Sequence, residues 1–82
     1  DTVTLTIHSD MTMNDSSYVA AGNKVDADIA GDLAMNDDSL IQATAGDVEI
    51  TANNAYLDNS SDIDAANNAV LGITNDLIMS QT

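Results

Sequence analysis

The chain repeats itself with a period of 22 residues. Written in lines of 22, residues 3–24, 25–46, 47–68 and 69–82 align without a gap. A period of this length is typical of an array of stacked structural units, in which each unit contacts only its neighbours. We therefore expect residues 1–82 to form a single repetitive domain.

Four columns of apolar residues carry the repeat. They are Ile7, Ile29, Thr51 and Ile73; Met11, Leu33, Ala55 and Leu77; Met13, Met35, Leu57 and Met79; and Val19, Ile41 and Ile63. Within a line the apolar residues form three short clusters with a spacing of two, separated by turn-forming Asn, Asp, Ser and Gly. These turn residues also interrupt every window long enough for a stable helix. The pattern predicts an all-β fold, a three-sided parallel β-solenoid of about four 22-residue coils.

The third line departs from the pattern at its start. Its first apolar cluster, Val48 and Ile50, is one position early relative to the neighbouring lines. A slip of one residue turns every side chain of a strand to the other face, yet Leu57 is back in column. We therefore predict a bulge or a longer turn here, with Thr51 facing outward.

The columns also predict the interior of the solenoid. We expect the core to contain Ile7, Met11, Met13, Ile29, Leu33, Met35, Leu57, Ile73, Leu77 and Met79. A chain of 82 residues without Cys, Phe or Trp has neither disulfides nor large aromatic anchors to stabilise a small core. Stability must then come from repetition or from assembly.

The charge balance is strongly acidic. Fourteen Asp and Glu residues face a single Lys, Lys24, which gives a formal net charge of −13. This charge excludes nucleic acid and anionic membrane surfaces as partners and favours cations. No stretch is long and apolar enough for membrane insertion. Because the chain begins with Asp1, we expect a processed, secreted protein located outside the cell.

Acidic residues recur in two further columns, which are candidates for calcium binding. The candidate ligands are Asp10, Asp32 and Asp76 in one column and Asp15 and Asp37 in the other. Carboxylates one strand spacing apart, about 4.8 Å, repel each other, and calcium with its preference for oxygen ligands would relieve the repulsion. The sequence favours the other interpretation, a solvated acidic face screened by salt, because the nonapeptide glycine-aspartate pattern of calcium-binding β-rolls is missing.

One predicted turn carries amides in successive lines. Asn14 and Asn36 share a column, so we expect their side chains to bond along the solenoid axis. Asn14-Asp15-Ser16 and Asn59-Ser60-Ser61 also match the N-glycosylation pattern, which makes Asn14 and Asn59 candidates for modification.

The sequence contains no pattern of nucleophile, base or metal ligands that is typical of an enzyme active site. His8 is the only histidine and the chain has no Cys, so a transition-metal site lacks ligands. The many serines lie in predicted turns without a nearby base or an oxyanion-stabilising device. We expect no enzymatic activity.

Three sequence segments resemble the strand units of filamentous-haemagglutinin-like adhesins. They are Gly31-Asp32-Leu33-Ala34-Met35, Gly46-Asp47-Val48-Glu49-Ile50-Thr51-Ala52 and Asn75-Asp76-Leu77-Ile78-Met79, and the resemblance covers residues 25–82. It implies a secreted, cell-surface β-helical protein used for adhesion. The period also resembles that of curli-type amyloid subunits, although their Gln-x-Gly-x-Gly-Asn signature is missing.

Both ends of the sequence read as strands without a Pro or a Lys to block pairing. We expect an intersubunit ladder at Val3, Leu5, Ile7, Leu77 and Met79. Head-to-tail pairing of this kind does not close, and it generates a filament. The leading hypothesis is a secreted structural subunit that stacks on copies of itself into an extracellular filament, sheath or appendage. The alternative is a calcium-dependent adhesive segment of a larger β-helical adhesin that contacts a host or neighbouring cell.

Overall fold

The predicted fold is confirmed by a computed structural model of the chain, which describes residues 1–58 and 60–79. These residues form eleven β-strands and no helix. The strands are β1 (Thr2–Ile7), β2 (Met11–Met13), β3 (Tyr18–Ala21), β4 (Lys24–Ile29), β5 (Leu33–Met35), β6 (Leu40–Ala43), β7 (Asp47–Ala52), β8 (Ala55–Leu57), β9 (Asp62–Ala65), β10 (Ala69–Ile73) and β11 (Leu77–Met79).

The strands are arranged in three parallel sheets, which are the three sides of a β-solenoid. Among the described residues sheet A has the order β1-β4-β7-β10, sheet B the order β2-β5-β8-β11 and sheet C the order β3-β6-β9. Every strand pairs in parallel with the strand one coil away. The overall dimensions are 28 × 26 × 18 Å, and the shortest is a few ångströms more than the three spacings of about 4.8 Å that separate four strand layers. The protein is thus a short drum, wider than it is tall.

The third coil has an altered register, as predicted, but the direction of the shift was wrong: the Val48 and Ile50 cluster is one position late rather than early, because the extra residue lies in the turn before β7. β7 pairs with β4 in a register that joins Val48 to Val25, an offset of one residue beyond the 22-residue period. The turn between β6 and β7 is correspondingly longer than the turn between β3 and β4. Thr51 is exposed, as expected, but its place in the first column is wrong. Ala52 fills the inward position and pairs with Ile73.

The core lies between the three sheets and is densest in the two middle coils. Its buried apolar residues are Met13, Ala21, Val25, Ala27, Ile29, Leu33, Met35, Ile41, Ala43, Val48, Ile50, Ala52, Ala55 and Leu57. The inward positions of each strand alternate with outward ones, because successive side chains point to opposite faces.

The predicted core is confirmed in the middle coils and corrected at the lower end. Ile7, Met11 and Ile73 are partly buried and pack against the core. Leu77 and Met79 were expected inside, but they are 44% and 62% exposed. They occupy the inward columns of β11, whose outer edge has no further described strand to cover it.

Candidate functional site

The two ends of the drum hold the strands that were predicted to join subunits. The upper end is formed by β1, β2 and β3, and the lower end by β9, β10 and β11. Each of these strands is an edge strand among residues 1–58 and 60–79, so one row of its backbone donors and acceptors faces away from the sheet. Exposed edges of this kind are templates for pairing with another strand.

The lower end is the most apolar exposed surface of the described chain. Its last strands carry Val70, Leu77, Ile78 and Met79, which are 53%, 44%, 45% and 62% exposed. Leu77 and Met79 lie in inward columns, whereas Val70 and Ile78 lie on the outer faces of sheets A and B. The upper end is better covered, since Val3, Leu5 and Ile7 are only partly exposed and pack on the core. All five residues predicted for the intersubunit ladder therefore lie at one end or the other.

The sequence prediction missed part of the lower end. It named only residues 77–79 there, whereas β10 and β9 are edge strands of their own sheets. Val70 contributes an exposed apolar side chain that was not predicted. The repeat could have predicted β10 as an edge strand, because residues 69–73 belong to the last 22-residue line and can pair with a strand on one side only.

The first acidic column forms a ladder of hydrogen bonds between coils. The Oδ1 atom of Asp10 accepts from the backbone N–H of Asp32 at 2.9 Å, and Asp32 Oδ1 accepts from the N–H of Asn54 at 3.2 Å. Asn54 Oδ1 in turn accepts from the N–H of Asp76 at 3.1 Å. The Asn54 amide also donates to Asp32 Oδ1 at 3.0 Å. Each side chain thus binds the backbone of the coil below it.

The backbone completes the pairing at the same corner. Three hydrogen bonds of 2.9 Å run in the opposite direction, from Met11 N to Asp32 O, from Leu33 N to Asn54 O and from Ala55 N to Asp76 O. Every junction between coils therefore repeats the same pair of bonds, one donated upward and one donated downward. The corner is a periodic hydrogen-bonding unit with a period of one coil.

The second acidic column lies in the turn between the strands of sheets B and C. Asp15 and Asp37 have φ angles of 55° and 57°, and Ser16 and Asp38 beside them have 63° and 65°. Two consecutive residues with positive φ produce the tight turn, and Asp tolerates this conformation better than most residues. The N–H of Ser16 donates to Asp37 O at 2.8 Å, which links this turn to the next coil.

The calcium prediction gains no support from the arrangement of these side chains. Across residues 1–58 and 60–79, no three Asp, Glu or His side chains come together as a set of metal ligands. In the first column the oxygens of Asp10 and Asp32 already accept backbone hydrogen bonds. These bonds account for acidic side chains at the corner without a metal ion.

The amide column behaves as predicted in the first two coils. Asn36 Nδ2 donates to Asn14 Oδ1 at 3.0 Å, so the two amides bond along the axis. Asn14 is exposed at the tight turn. The second glycosylation candidate, Asn59, lies outside the described residues, and both sites stay predictions.

The outer face of sheet A is acidic but internally paired. Lys24 Nζ lies 3.2 Å from Glu49 Oε2. The hydrogen bond to Glu49, followed by the charge of Glu49, raises the pKa of Lys24 above its ordinary value. Two other acidic groups accept hydrogen bonds between coils, since Thr51 Oγ1 donates to Asp28 Oδ1 at 2.7 Å and Asn68 N donates to Asp47 Oδ1 at 3.1 Å. This face is a solvated surface held together by coil-to-coil contacts.

The described surface has no pocket, and His8 is exposed beside a turn. The part of the chain that the structure describes contains no helix able to span a membrane. No family model matches this chain, and no curated protein or solved structure is significantly similar to it. The resemblance of residues 25–82 to filamentous-haemagglutinin-like repeats therefore stays a prediction.

Proposed function

We propose that this protein is a structural subunit that stacks end to end with copies of itself into an extracellular filament, sheath or appendage. The observation that carries the proposal is the lower end, where open strand edges coincide with exposed apolar residues that occupy core columns. Leu77 and Met79 are 44% and 62% exposed, and another coil beneath them would bury them as the middle coils bury their equivalents.

The distribution of charge supports growth along the axis rather than sideways association. The outward positions of sheet A include Asp26, Asp28, Asp47 and Glu49. With a net charge of −13, lateral faces repel each other, whereas the ends are the apolar surfaces. Salt screens this repulsion, so assembly should increase with ionic strength.

A location outside the cell and a structural role are parts of the same proposal. Lys24 is the only Lys or Arg in the sequence, so a trypsin-like protease has a single possible cleavage site. The acidic side chains with assigned partners bond within the fold rather than pointing together into a site. We therefore assign the function to the assembled stack and not to a reaction.

The test is to follow assembly of the purified chain by negative-stain electron microscopy and analytical ultracentrifugation. Samples should span a range of protein concentration, low and high salt, and the presence and absence of calcium. We expect filaments about as wide as the drum at high concentration and moderate salt. Particles that stay single under all of these conditions would overturn the proposal and favour a segment of a larger adhesin.

Strand β11 provides a matched pair of variants. Leu77 and Ile78 are 44% and 45% exposed, but Leu77 lies in the inward column below Ala55, whereas Ile78 lies in the outward column below Tyr56. Leu77→Lys would bury a charge in a stacked junction, and Ile78→Lys would leave the same charge in solvent. We expect the first variant to abolish filaments and the second to form them. Equal behaviour of the two would argue against burial of this end by another coil.

A further inference from the structure

We propose that the column of Asp10, Asp32, Asn54 and Asp76, here called the corner column, sets the register of the stack. The carboxylate of Asp76 in one copy accepts the backbone N–H of Asp10 in the next copy. This inference rests on the proposed function and deepens it, because it states which strands meet and which residues align.

The internal coils supply the pattern for this junction. The same side-chain bond occurs at every interval of the corner column, at 2.9, 3.2 and 3.1 Å. Asp76 is the last member of the column and Asp10 is the first, and they are three periods apart in the sequence. A copy placed one coil below β11 therefore presents the N–H of Asp10 where the pattern requires a donor.

The backbone groups at the two ends are complementary in the same register. Within the chain, the residue after each corner position donates to the corner carbonyl one coil below, as Ala55 N does to Asp76 O at 2.9 Å. At the junction, Leu77 N would donate to Asp10 O of the next copy. Just before the corner, Asn75 N donates to Asn53 O at 2.8 Å, and Ser9 N of the next copy would donate to Asn75 O in the same way.

The apolar columns continue across the junction without a change of residue class. Strand β1 of the next copy would lie under β10, which aligns Leu5 with Leu71 and Ile7 with Ile73. Strand β2 would lie under β11, which aligns Met11 with Leu77 and Met13 with Met79. Apart from Met13, which is buried, these residues are partly or largely exposed at the two ends of a single copy.

A second arrangement, rotated by one third of a turn, fits less well. Sheet C has three described strands and the other sheets have four, so β1 of the next copy could instead pair with β9. That arrangement sets the six-residue β1 against the four-residue β9, and the three-residue β2 against the five-residue β10. It also moves Asp10 away from Asp76. The column-matched stack keeps sheets A and B continuous and interrupts sheet C.

The corner column also determines how charge affects the junction. Inside the chain, the neutral Asn54 separates Asp32 from Asp76 and donates a second hydrogen bond to Asp32 at 3.0 Å. The junction brings Asp76 next to Asp10, two carboxylates about one strand spacing apart, as Asp10 and Asp32 are inside the chain. Asp10→Asn would reproduce at the junction the arrangement that Asn54 makes beneath Asp32.

The first experiment measures the critical concentration for assembly by sedimentation of the 82-residue chain at neutral pH. We expect Asp10→Asn to lower it about tenfold and Asp76→Ala, which lacks the acceptor, to raise it about tenfold, as for one charge-assisted hydrogen bond. Asp38→Asn, an equal charge change away from the corner column, serves as the control. If Asp38→Asn matched Asp10→Asn, net charge rather than the corner column would explain the effect, and the proposal would be wrong.

The second experiment locates the junction by disulfide crosslinking, which the absence of native Cys makes clean. In the proposed register Thr4 of one copy lies beside Val70 of another, both on the outward face of sheet A. Within one copy these residues sit on β1 and β10, about three strand spacings or 14 Å apart, too far for a disulfide. We expect Thr4→Cys with Val70→Cys to form interchain crosslinks, and the mismatched Thr2→Cys with Val70→Cys to form far fewer.

The outcomes separate this inference from the proposed function. Filaments that crosslink through Thr4→Cys and Asp64→Cys, on β9, would retain the stacking subunit and overturn the register. Complete absence of filaments in the unmodified chain would overturn both. Filaments with the predicted crosslinks and the predicted order of critical concentrations would establish the corner column as the register determinant.

Discussion

The middle of the solenoid and its lower end contain nearly the same strand in two different environments. Leu33 and Met35 in β5 are completely buried, whereas Leu77 and Met79 in β11 are 44% and 62% exposed. The residue types and the columns are identical. What differs is the number of neighbouring strands, since β5 lies between β2 and β8 and β11 pairs only with β8 among the described residues. Burial here is a property of the stack and not of the residue.

This difference implies that stability varies along the axis. In a repeat protein each coil is stabilised by its interfaces with its neighbours, so end coils have about half of the contacts of middle coils. End coils then open more readily than the centre. Stacking of a second copy would convert an end coil into a middle coil, which is the source of its driving force.

The largest difference in stability should appear when a leucine of the same column is shortened to alanine in the middle coils and at the lower end. Leu33→Ala removes a fully buried side chain between two coils, and we expect it to lower the free energy of unfolding by about 2–5 kcal/mol. Leu77→Ala should cost much less in dilute, unassembled protein. Urea unfolding followed by circular dichroism measures both. Similar losses for the two variants would contradict the difference in burial between centre and end.

A smaller difference in stability should appear when a glycine is replaced by alanine in two equivalent turns. A Cβ atom at Gly46, in the longer turn before β7, would lie 1.8 Å from the carbonyl oxygen of Asn23, a backbone atom that cannot rotate away. Gly46→Ala should therefore cost about 1–3 kcal/mol in the middle of the drum. At Gly22, near the upper end, the nearest atom would be 3.9 Å away, so Gly22→Ala should be tolerated. Thermal unfolding of the two variants compares them, and a stable Gly46→Ala would disprove close contact of these coils.

The smallest change in stability should come from removing the ion pair between Lys24 and Glu49 on the outer face of sheet A. The pKa of Lys24 is raised above 10.5 by Glu49, so the pair contributes fully at lower pH, and its contribution is lost as the pH rises through the folded-state pKa. Both groups are partly exposed, which keeps the contribution small. The difference in melting temperature between the parent chain and Lys24→Gln should disappear at high pH. A difference that persists there would indicate that Lys24 acts through packing of its aliphatic chain.

Much of the fold followed from periodicity alone, because the 22-residue repeat and the spacing of two constrain each residue to a column and a face. The third coil is the exception to the regular period. Sequence predicted a bulge or a longer turn and an outward Thr51, but the gapless alignment placed Thr51 rather than Ala52 in the core column. The choice depends on the pairing of β7 with β4, which joins Val48 to Val25 and Ile50 to Ala27.

The acidic column likewise was predicted in part from the sequence and explained only by the structure. The acidic column was visible in the sequence, and charge repulsion suggested calcium as its purpose. Only the three-dimensional arrangement places Asp10 Oδ1 at 2.9 Å from the N–H of Asp32, which gives the side chain a role in joining coils. A short side chain at a corner can reach the backbone one strand spacing away, and no pattern of residue types distinguishes that contact from metal binding.

The sequence by itself determined the period, the all-β class, the three-sided parallel solenoid and the acidic outer surface. These follow from local rules, namely the alternation of strand residues and the turn preferences of Asn, Asp, Ser and Gly. The tertiary structure decided the register of the third coil, the bonding of the corner column and the exposure of Leu77 and Met79. Those properties depend on which strands are neighbours, and a side chain becomes buried or bonded only when the coil above or below it is in place.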